Sequence, residues 1–291
     1  MARERSECVV RHADYYETDL GGSVNLYSAL FETDCRVQFD RDLTERLRLA
    51  LDRVNEFDDS KLVEYDAEFE GTVRFAPGAV WAHASCLSAR HIAVLPLPLG
   101  RVPHGQVPVT VAGITTDVFF VTEESQHVGF FRAIVALENA DEAKFQHLAR
   151  SAFPALEWAD NVWHGLGAFS RPYLAIRSQL VRYLGGLSDY GATCFREHHT
   201  GDPRSLQRIL SANIGSETSD ENGFTKRNRR SQRDRTRSHQ GKNKVFWWHV
   251  KIQPHVDRVY FLYEPPSANS PSHEIGHIVV GLFKDHCFLP N

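Results

Sequence analysis

The chain lacks the features that mark membrane-spanning, disulfide-stabilised and repeat proteins. No uninterrupted apolar stretch approaches the roughly 18 residues that a membrane helix needs, and the charged N-terminus is not followed by an apolar run. The five cysteines are odd in number and widely scattered, which predicts buried free thiols and neither a disulfide framework nor a thiolate metal site. No repeat of about 20 to 50 residues is visible. These absences predict a cytoplasmic protein that does not bind membranes.

Charge is abundant but unevenly distributed. The formal net charge is −4, and 42% of the residues are apolar, which is typical of a globular protein with a sizeable core. Residues 1–223 hold 21 basic and 32 acidic side chains, whereas residues 224–258 hold eleven Lys or Arg and two Asp. A basic C-terminal module therefore follows an acidic body. The simplest partner for such a module is a polyanion, and nucleic acid is the commonest one.

The pattern along the chain predicts an α+β fold, with a mixed N-terminal body and a small C-terminal antiparallel sheet preceded by a basic helical segment. We predict a strand-rich α+β region over 1–121, a mainly helical region over 122–197, a mobile linker over 198–223 and a basic domain over 224–291. The linker ends in the acidic segment Gly215 to Gly223. Because this segment directly precedes the basic run, we expect it to fold back onto that run when no ligand is bound.

Three strand-like pieces follow Gly241: Val245 to Ile252, Arg258 to Tyr263, and Ile275 to Phe283. A short turn-like connection joins the first two, so an antiparallel hairpin is the simplest arrangement. Successive side chains on a strand point to opposite faces of the sheet. The apolar set is predicted to face the core: Trp248, Val250, Ile252, Val259 and Phe261. The other set is predicted to form an exposed cationic and aromatic face: Trp247, His249, Lys251, Arg258 and Tyr260.

The exposed face would suit RNA. A base could stack on Trp247 or Tyr260 while Lys251 and Arg258 hold phosphates. His249 has an unperturbed pKa of about 6.5, which is suited to moving a proton during phosphodiester cleavage.

A basic helical segment followed by a small sheet that carries Lys, Arg, His and Tyr resembles the RelE/HigB group of toxin ribonucleases, which cleave messenger RNA. The segments Trp248 to Lys251, Asp257 to Phe261 and Gly281 to His286 are also similar to the C-terminal signature of a set of prokaryotic proteins of unassigned activity, associated with mobile and antiviral-defence loci. The resemblance covers about 65 residues. The residues ahead of it depart from a single-domain toxin.

The resemblance implies a toxin-like or antiviral-defence ribonuclease that cleaves RNA by acid/base chemistry without a cofactor. The implied partners are RNA, the ribosome, and an antitoxin or restraining protein, a role that the acidic body could itself fill. The candidate catalytic residues are His249, Lys251, Arg258, Tyr260 and His286. The candidate nucleic-acid-binding residues are Lys226, Arg227, Arg229, Arg230, Arg233, Trp247 and Lys284.

Two alternatives stand beside the ribonuclease. The first is a nucleic-acid-binding defence or regulatory component without catalysis. The second is a zinc metallopeptidase, because His273-Glu-Ile-Gly-His277 matches H-E-x-x-H, whose two histidines bind zinc when the motif is helical. The run Ile278 to Gly281 favours a strand over that helix. The extended pattern also fails, since Val280 and Phe283 stand where it needs glycine and histidine.

Overall fold

The computed structural model describes residues 10–21, 24–32, 34–35, 40–51, 53–57, 62, 64–88, 90–96, 103–198, 202–253, 256–267 and 275–284. Helices and several sheets alternate along the chain, which confirms the predicted α+β class. The chain divides into two compact units, Met1–Phe130 and Phe131–Asn291. Within the described ranges no helix combines the length and apolar character needed to cross a membrane. Cys35, Cys86 and Cys194 are free thiols.

The first unit is built on a five-stranded sheet whose strands run in the order Thr72–Phe75, Asp66–Phe69, Gly105–Val111, Ile114–Phe120 and Ala93–Val94. The helix Pro77–Leu87 packs on this sheet, and buried residues such as Val80, Val109 and Phe120 fill the space between them. The elements of this unit are β1 Val10–Arg11, β2 Asp19–Gly21, β3 Val24–Asn25, α1 Leu26–Phe31, α2 Arg41–Leu51, β4 Asn55–Glu56, β5 Asp66–Phe69, β6 Thr72–Phe75, α3 Pro77–Leu87, β7 Ala93–Val94, β8 Gly105–Val111 and β9 Ile114–Phe120, with a 3-10 helix at Ala13–Glu17.

Helix α4, Glu124–Leu137, contains the division between the units. The second unit combines helices with a second five-stranded sheet. Its elements are α5 Glu142–Ala152, β10 Leu156–Trp158, a 3-10 helix Val162–Ala168, α6 Tyr173–Gly186, a π-helical turn Leu187–Gly191, α7 Ala192–His198, α8 Pro203–Ile214, β11 Thr218–Ser219, α9 Gly223–Arg227, α10 Arg229–Asp234, β12 Thr236–His239, β13 Lys242–Val245, β14 Trp248–Lys251, β15 Arg258–Glu264 and β16 His277–Lys284.

The strands of the second sheet run in the order β10-β16-β15-β14-β11. Strands β14 and β15 form the predicted antiparallel hairpin, in which His249 lies opposite Tyr260 and Lys251 opposite Arg258. Strand β16 pairs antiparallel with β15, which confirms the third predicted strand. The two edges are β10, which is parallel to β16, and β11, which is antiparallel to β14.

The predicted linker over 198–223 and the separate domain over 224–291 differ from the structure. Helix α8 and strand β11 occupy most of the linker range. Leu206, Leu210 and Ile214 recur at helical spacing and are buried, so α8 has a full apolar stripe that packs against α6 and α7. The C-terminal sheet also takes β10 from the predicted helical region and β11 from the predicted linker. All five strands belong to the second compact unit, Phe131–Asn291.

Candidate functional site

One face of the β14–β15 hairpin is apolar, as predicted. Val250, Val259 and Phe261 are fully buried. The ring of Phe195, on α7, lies 5.0 Å from the Trp248 ring at 83° and stacks on Tyr263 at 5.0 Å and 11°. The predicted core face is therefore the face that packs on the helices.

The opposite face was predicted to be exposed, and this is wrong. Tyr260 is fully buried, His249 is 3% exposed and Arg258 is 8% exposed. The segment between β11 and β14 covers them. Phe246 packs on this face so closely to Gly281 that a Cβ at that glycine would lie 2.3 Å from its ring. The guanidinium of Arg235 lies 5.2 Å from the centre of the Tyr260 ring.

A buried carboxylate binds the basic side chains of this face together. Glu221 Oε1 accepts a hydrogen bond from Arg235 Nη2 at 2.7 Å and a longer one from Arg258 Nη1 at 3.4 Å. His249 Nδ1 lies 3.8 Å from the same oxygen. The side chains of Glu221 and Arg235 are 8% and 1% exposed. We call Glu221, Arg235, His249 and Arg258 the Glu221 cluster. It joins the chain before α9 to the residue that follows α10 and to the β14–β15 hairpin.

The surroundings of His249 keep its imidazole neutral. Burial, with the nearby charges of Arg258, Lys251 and Arg235, lowers the pKa of His249 to about 3, against a weaker opposing effect of the Trp247 carbonyl. The Glu221 carboxylate oxygen, 3.8 Å from His249 Nδ1, is also within ion-pair distance of the guanidinium groups of Arg235 and Arg258. The other ring nitrogen, Nε2, lies 3.1 Å from Ser219 Oγ. A ring of this kind does not titrate near neutral pH.

The acidic segment folds back onto basic side chains, as predicted. Glu217 forms an ion pair with Lys251, and Asp220 forms one with Lys226. Lys251 is half-buried on β14, and Lys284 is half-buried at the end of β16. The positive charges of Lys251 and Lys226 are therefore paired with carboxylates of the same chain.

Four arginines on α9 and α10 remain exposed, and we call them the arginine surface: Arg227, Arg229, Arg230 and Arg233. Among the described residues none of the four makes an ion pair. The helices are held from the other side, where Thr225 and Ser231 are buried. Asn222 and Asn228 cap the helices by accepting hydrogen bonds from the backbone amides of Thr225 and Ser231. The arginines therefore extend from a fixed backbone.

The comparisons with known proteins give no relative. No family model, curated protein or solved structure matches this chain. The resemblance to toxin ribonucleases stays a prediction.

The remaining predicted residues are not brought to one place. Trp247 is half-buried, with the Arg235 guanidinium 5.9 Å from its ring centre. His286 and His273 lie outside the described residues. His277 is the first residue of β16, and Gly276 before it has a φ of +72°, so a helical H-E-x-x-H motif is wrong at this position. The strand forms because Ile278 to Val280 are β-branched and fully buried.

Several residues of this unit escaped the sequence analysis. Phe224 is 65% exposed beside the arginine surface, and its place within the basic run was the available signal. An ion pair between Glu221 and Arg235 could have been expected, because the acidic segment was predicted to fold back onto the basic run. No sequence pattern indicated that Glu157 and His239 lie close to His277, because the pairing of strands that are distant in the chain brings them together.

Proposed function

We propose that the chain binds single-stranded nucleic acid, RNA in the first instance, through the arginine surface and without cleaving it. The observation that carries this proposal is the set of four exposed arginines held on two capped helices. Guanidinium groups bind phosphate with two parallel hydrogen bonds, which suits a surface that follows a phosphate backbone.

An exposed aromatic ring supports a single-stranded ligand. Phe224 is the second residue of α9 and is 65% exposed, an unusual place for a phenylalanine. Unpaired bases stack on such rings whatever their sequence, while arginines hold the backbone between them. A duplex keeps its bases stacked on each other and offers the ring no free face.

Binding without cleavage is favoured because the candidate for proton removal is buried and has a lowered pKa. A phosphodiester does not reach His249 at 3% exposure, and a pKa of about 3 makes its neutral imidazole a weak general base. Arg258 is held by Glu221 and Lys251 by Glu217. The geometry thus supports the non-catalytic alternative better than the ribonuclease.

Removing two arginines should weaken RNA binding and its salt dependence. In the double variant Arg229→Ala/Arg233→Ala, we expect the slope of log K against log salt to fall by about 1.4, since each lost phosphate contact on a single strand removes about 0.7. The measurement is fluorescence anisotropy of a labelled RNA 20-mer at several salt concentrations. The matched control is Arg204→Ala/Arg208→Ala, which removes two exposed arginines four apart on α8. Equal losses in both variants would count against the proposal, as would cleavage of the RNA during incubation with EDTA.

The Phe224→Ala variant should bind single-stranded RNA more weakly by about 1–3 kcal/mol, the usual contribution of one stacked base. The salt slope should stay the same because no charge is removed. Phe75→Ala is the control, since Phe75 is equally exposed at 65% and lies in the other unit. An unchanged affinity for single strands, or an equal loss for a duplex of the same sequence, contradicts the stacking role.

A further inference from the structure

We propose that Glu157, His239 and His277 form a binding site for one divalent transition-metal ion, with Zn²⁺ as the first candidate. The three side chains offer two imidazole nitrogens and a carboxylate, and their ligand atoms all lie within 4.8 Å of one another. The site is separate from the Glu221 cluster and from the arginine surface, so it does not depend on the proposed binding of nucleic acid.

Strand pairing brings these three residues together. Glu157 on β10 lies opposite Val279 on the parallel strand β16 and therefore shares a face with His277, two residues earlier. His239 ends β12, at the tip of the β12–β13 hairpin. Gln240 and Gly241 form the two-residue turn with φ of +49° and +73°, the left-handed pair that such hairpins require. A backbone hydrogen bond from Asp160 to the Ser238 carbonyl, at 2.9 Å, fixes this hairpin beside β10.

The distances between ligand atoms are close to those of a coordinated ion. Ligand atoms at ~2.1 Å from a tetrahedral zinc lie ~3.4 Å from each other. His277 Nε2 is 3.4 Å from Glu157 Oε1, and His239 Nε2 is 2.8 Å from Glu157 Oε2. The second distance is that of a hydrogen bond, so binding requires it to lengthen from 2.8 Å by ~0.6 Å. The buried position of His239, at 4% exposure, holds its ring in place.

The nitrogen of His277 that faces the carboxylate is a buried polar atom without a hydrogen bond. Nε2 is shielded from solvent, and no described residue donates a hydrogen bond to it or accepts one from it. Glu264, which lies opposite His277 on β15, is 3.7 Å away and is held in an ion pair with Lys244. A buried nitrogen without a hydrogen bond is destabilising, and a metal–nitrogen bond removes that cost.

The position of His277 is fixed by the backbone before it. Gly276, at a φ of +72°, packs so tightly that a Cβ there would lie 2.4 Å from the Glu264 carbonyl oxygen. The Tyr263 hydroxyl donates a hydrogen bond to the Ile275 carbonyl at 2.8 Å. His277 is thus held by a closely packed turn at the start of β16.

The carboxylate of Glu157 is oriented by a neighbouring side-chain amide. Gln240 Nε2 donates a hydrogen bond to Glu157 Oε2 at 3.0 Å.

Two histidines and one carboxylate favour a borderline ion such as Zn²⁺ over Mg²⁺ or Ca²⁺, which prefer oxygen ligands. Three protein ligands leave a fourth position, as in catalytic zinc sites. The side chains of Glu157 and His277 are 37% and 34% exposed, whereas the Nε2 atom of His277 is shielded from solvent. The ligand set differs from the H-E-x-x-H motif in the sequence, with which it shares only His277.

The test is calorimetric titration of the full-length protein, freed of metal with EDTA, with ZnCl₂ and separately with MgCl₂. We expect one Zn²⁺ per chain and no comparable binding of Mg²⁺. His277→Ala and Glu157→Gln should each weaken Zn²⁺ binding at least about 100-fold. Loss of a residue that only hydrogen-bonds a metal ligand weakens binding by up to about 100-fold, and loss of a ligand itself should weaken it by no less. The control His164→Ala removes an exposed histidine of the same unit and should leave Zn²⁺ binding unchanged.

Two further measurements keep the outcome decisive. Circular dichroism of the metal-free variants should match the metal-free wild type, which separates loss of the site from loss of the fold. Co²⁺ added to the wild-type protein should produce the visible absorption bands of a four- or five-coordinate ion. Absence of Zn²⁺ binding by the folded wild type, or undiminished binding in both variants, overturns the proposal. Zn²⁺ binding that His164→Ala reduces as strongly would show adventitious binding to surface histidines.

Discussion

Replacing Glu221 by glutamine is expected to destabilise the protein by about 3–5 kcal/mol, the usual effect of removing one partner from a buried ion pair. The two guanidinium groups of Arg235 and Arg258 lie within hydrogen-bonding distance of one carboxylate oxygen. Glutamine keeps the shape of the side chain but removes the negative charge that the buried guanidinium groups of Arg235 and Arg258 share. A total stability of about 5–15 kcal/mol is typical of a folded protein, so the loss is a large fraction of it.

The measurement is urea denaturation followed by circular dichroism, with the midpoints of wild type and variant compared. Glu217→Gln is the matched control, because Glu217 lies four residues earlier, forms an ion pair with Lys251 and is 65% exposed. An exposed pair contributes about 0–1 kcal/mol. A loss in the Glu221 variant no larger than in the Glu217 variant would show that the cluster is not what joins α9, α10 and the hairpin.

The strands of the second sheet were predictable because their patterns are local. Period-2 alternation in Trp248 to Lys251 and Arg258 to Tyr263, with a short connection, sufficed for the hairpin and its register. Helix α5 is similarly local, because Asp141 caps it by accepting a hydrogen bond from the backbone amide of Lys144. The small edge strands β10 and β11 have two or three residues each and no pattern of their own. They become strands only by pairing with β16 and β14, which is a tertiary effect.

The exposure of the second face was not predictable, since alternation sorts side chains into faces but does not say what covers each face. A row of His, Arg and Tyr is typical of a solvated face. It is buried here because Glu221 and Arg235, which come from the supposed linker and the basic run, supply the compensating charge and the aromatic contact. The sequence shows opposite charges near each other, but only the fold shows that Arg235 and Arg258 are the buried members of the eleven basic side chains in residues 224–258.

Acid should destabilise the protein through His249, and this is the second large effect. The unfolded chain binds a proton at His249 near its ordinary pKa of about 6.5, whereas the folded chain does so only near pH 3. Between these values the unfolded state holds the extra proton, so unfolding becomes easier as the pH falls. The stabilising contribution is complete above about pH 6.5 and is lost at about 1.4 kcal/mol per pH unit below it.

The difference between wild type and His249→Gln isolates this contribution from the titration of other groups. Glutamine cannot be protonated, and its amide can hydrogen-bond Ser219 Oγ in place of the ring nitrogen. We expect urea midpoints measured from pH 7.5 to 4.5 to fall more steeply for the wild type than for the variant. His164→Gln, which removes an exposed histidine, should leave the wild-type slope unchanged. Parallel slopes for wild type and His249→Gln would mean that His249 has the same pKa in the folded and the unfolded protein. In that case Glu221 would offset the effects of burial and of the guanidinium groups, and the imidazole would titrate near its ordinary pKa of about 6.5.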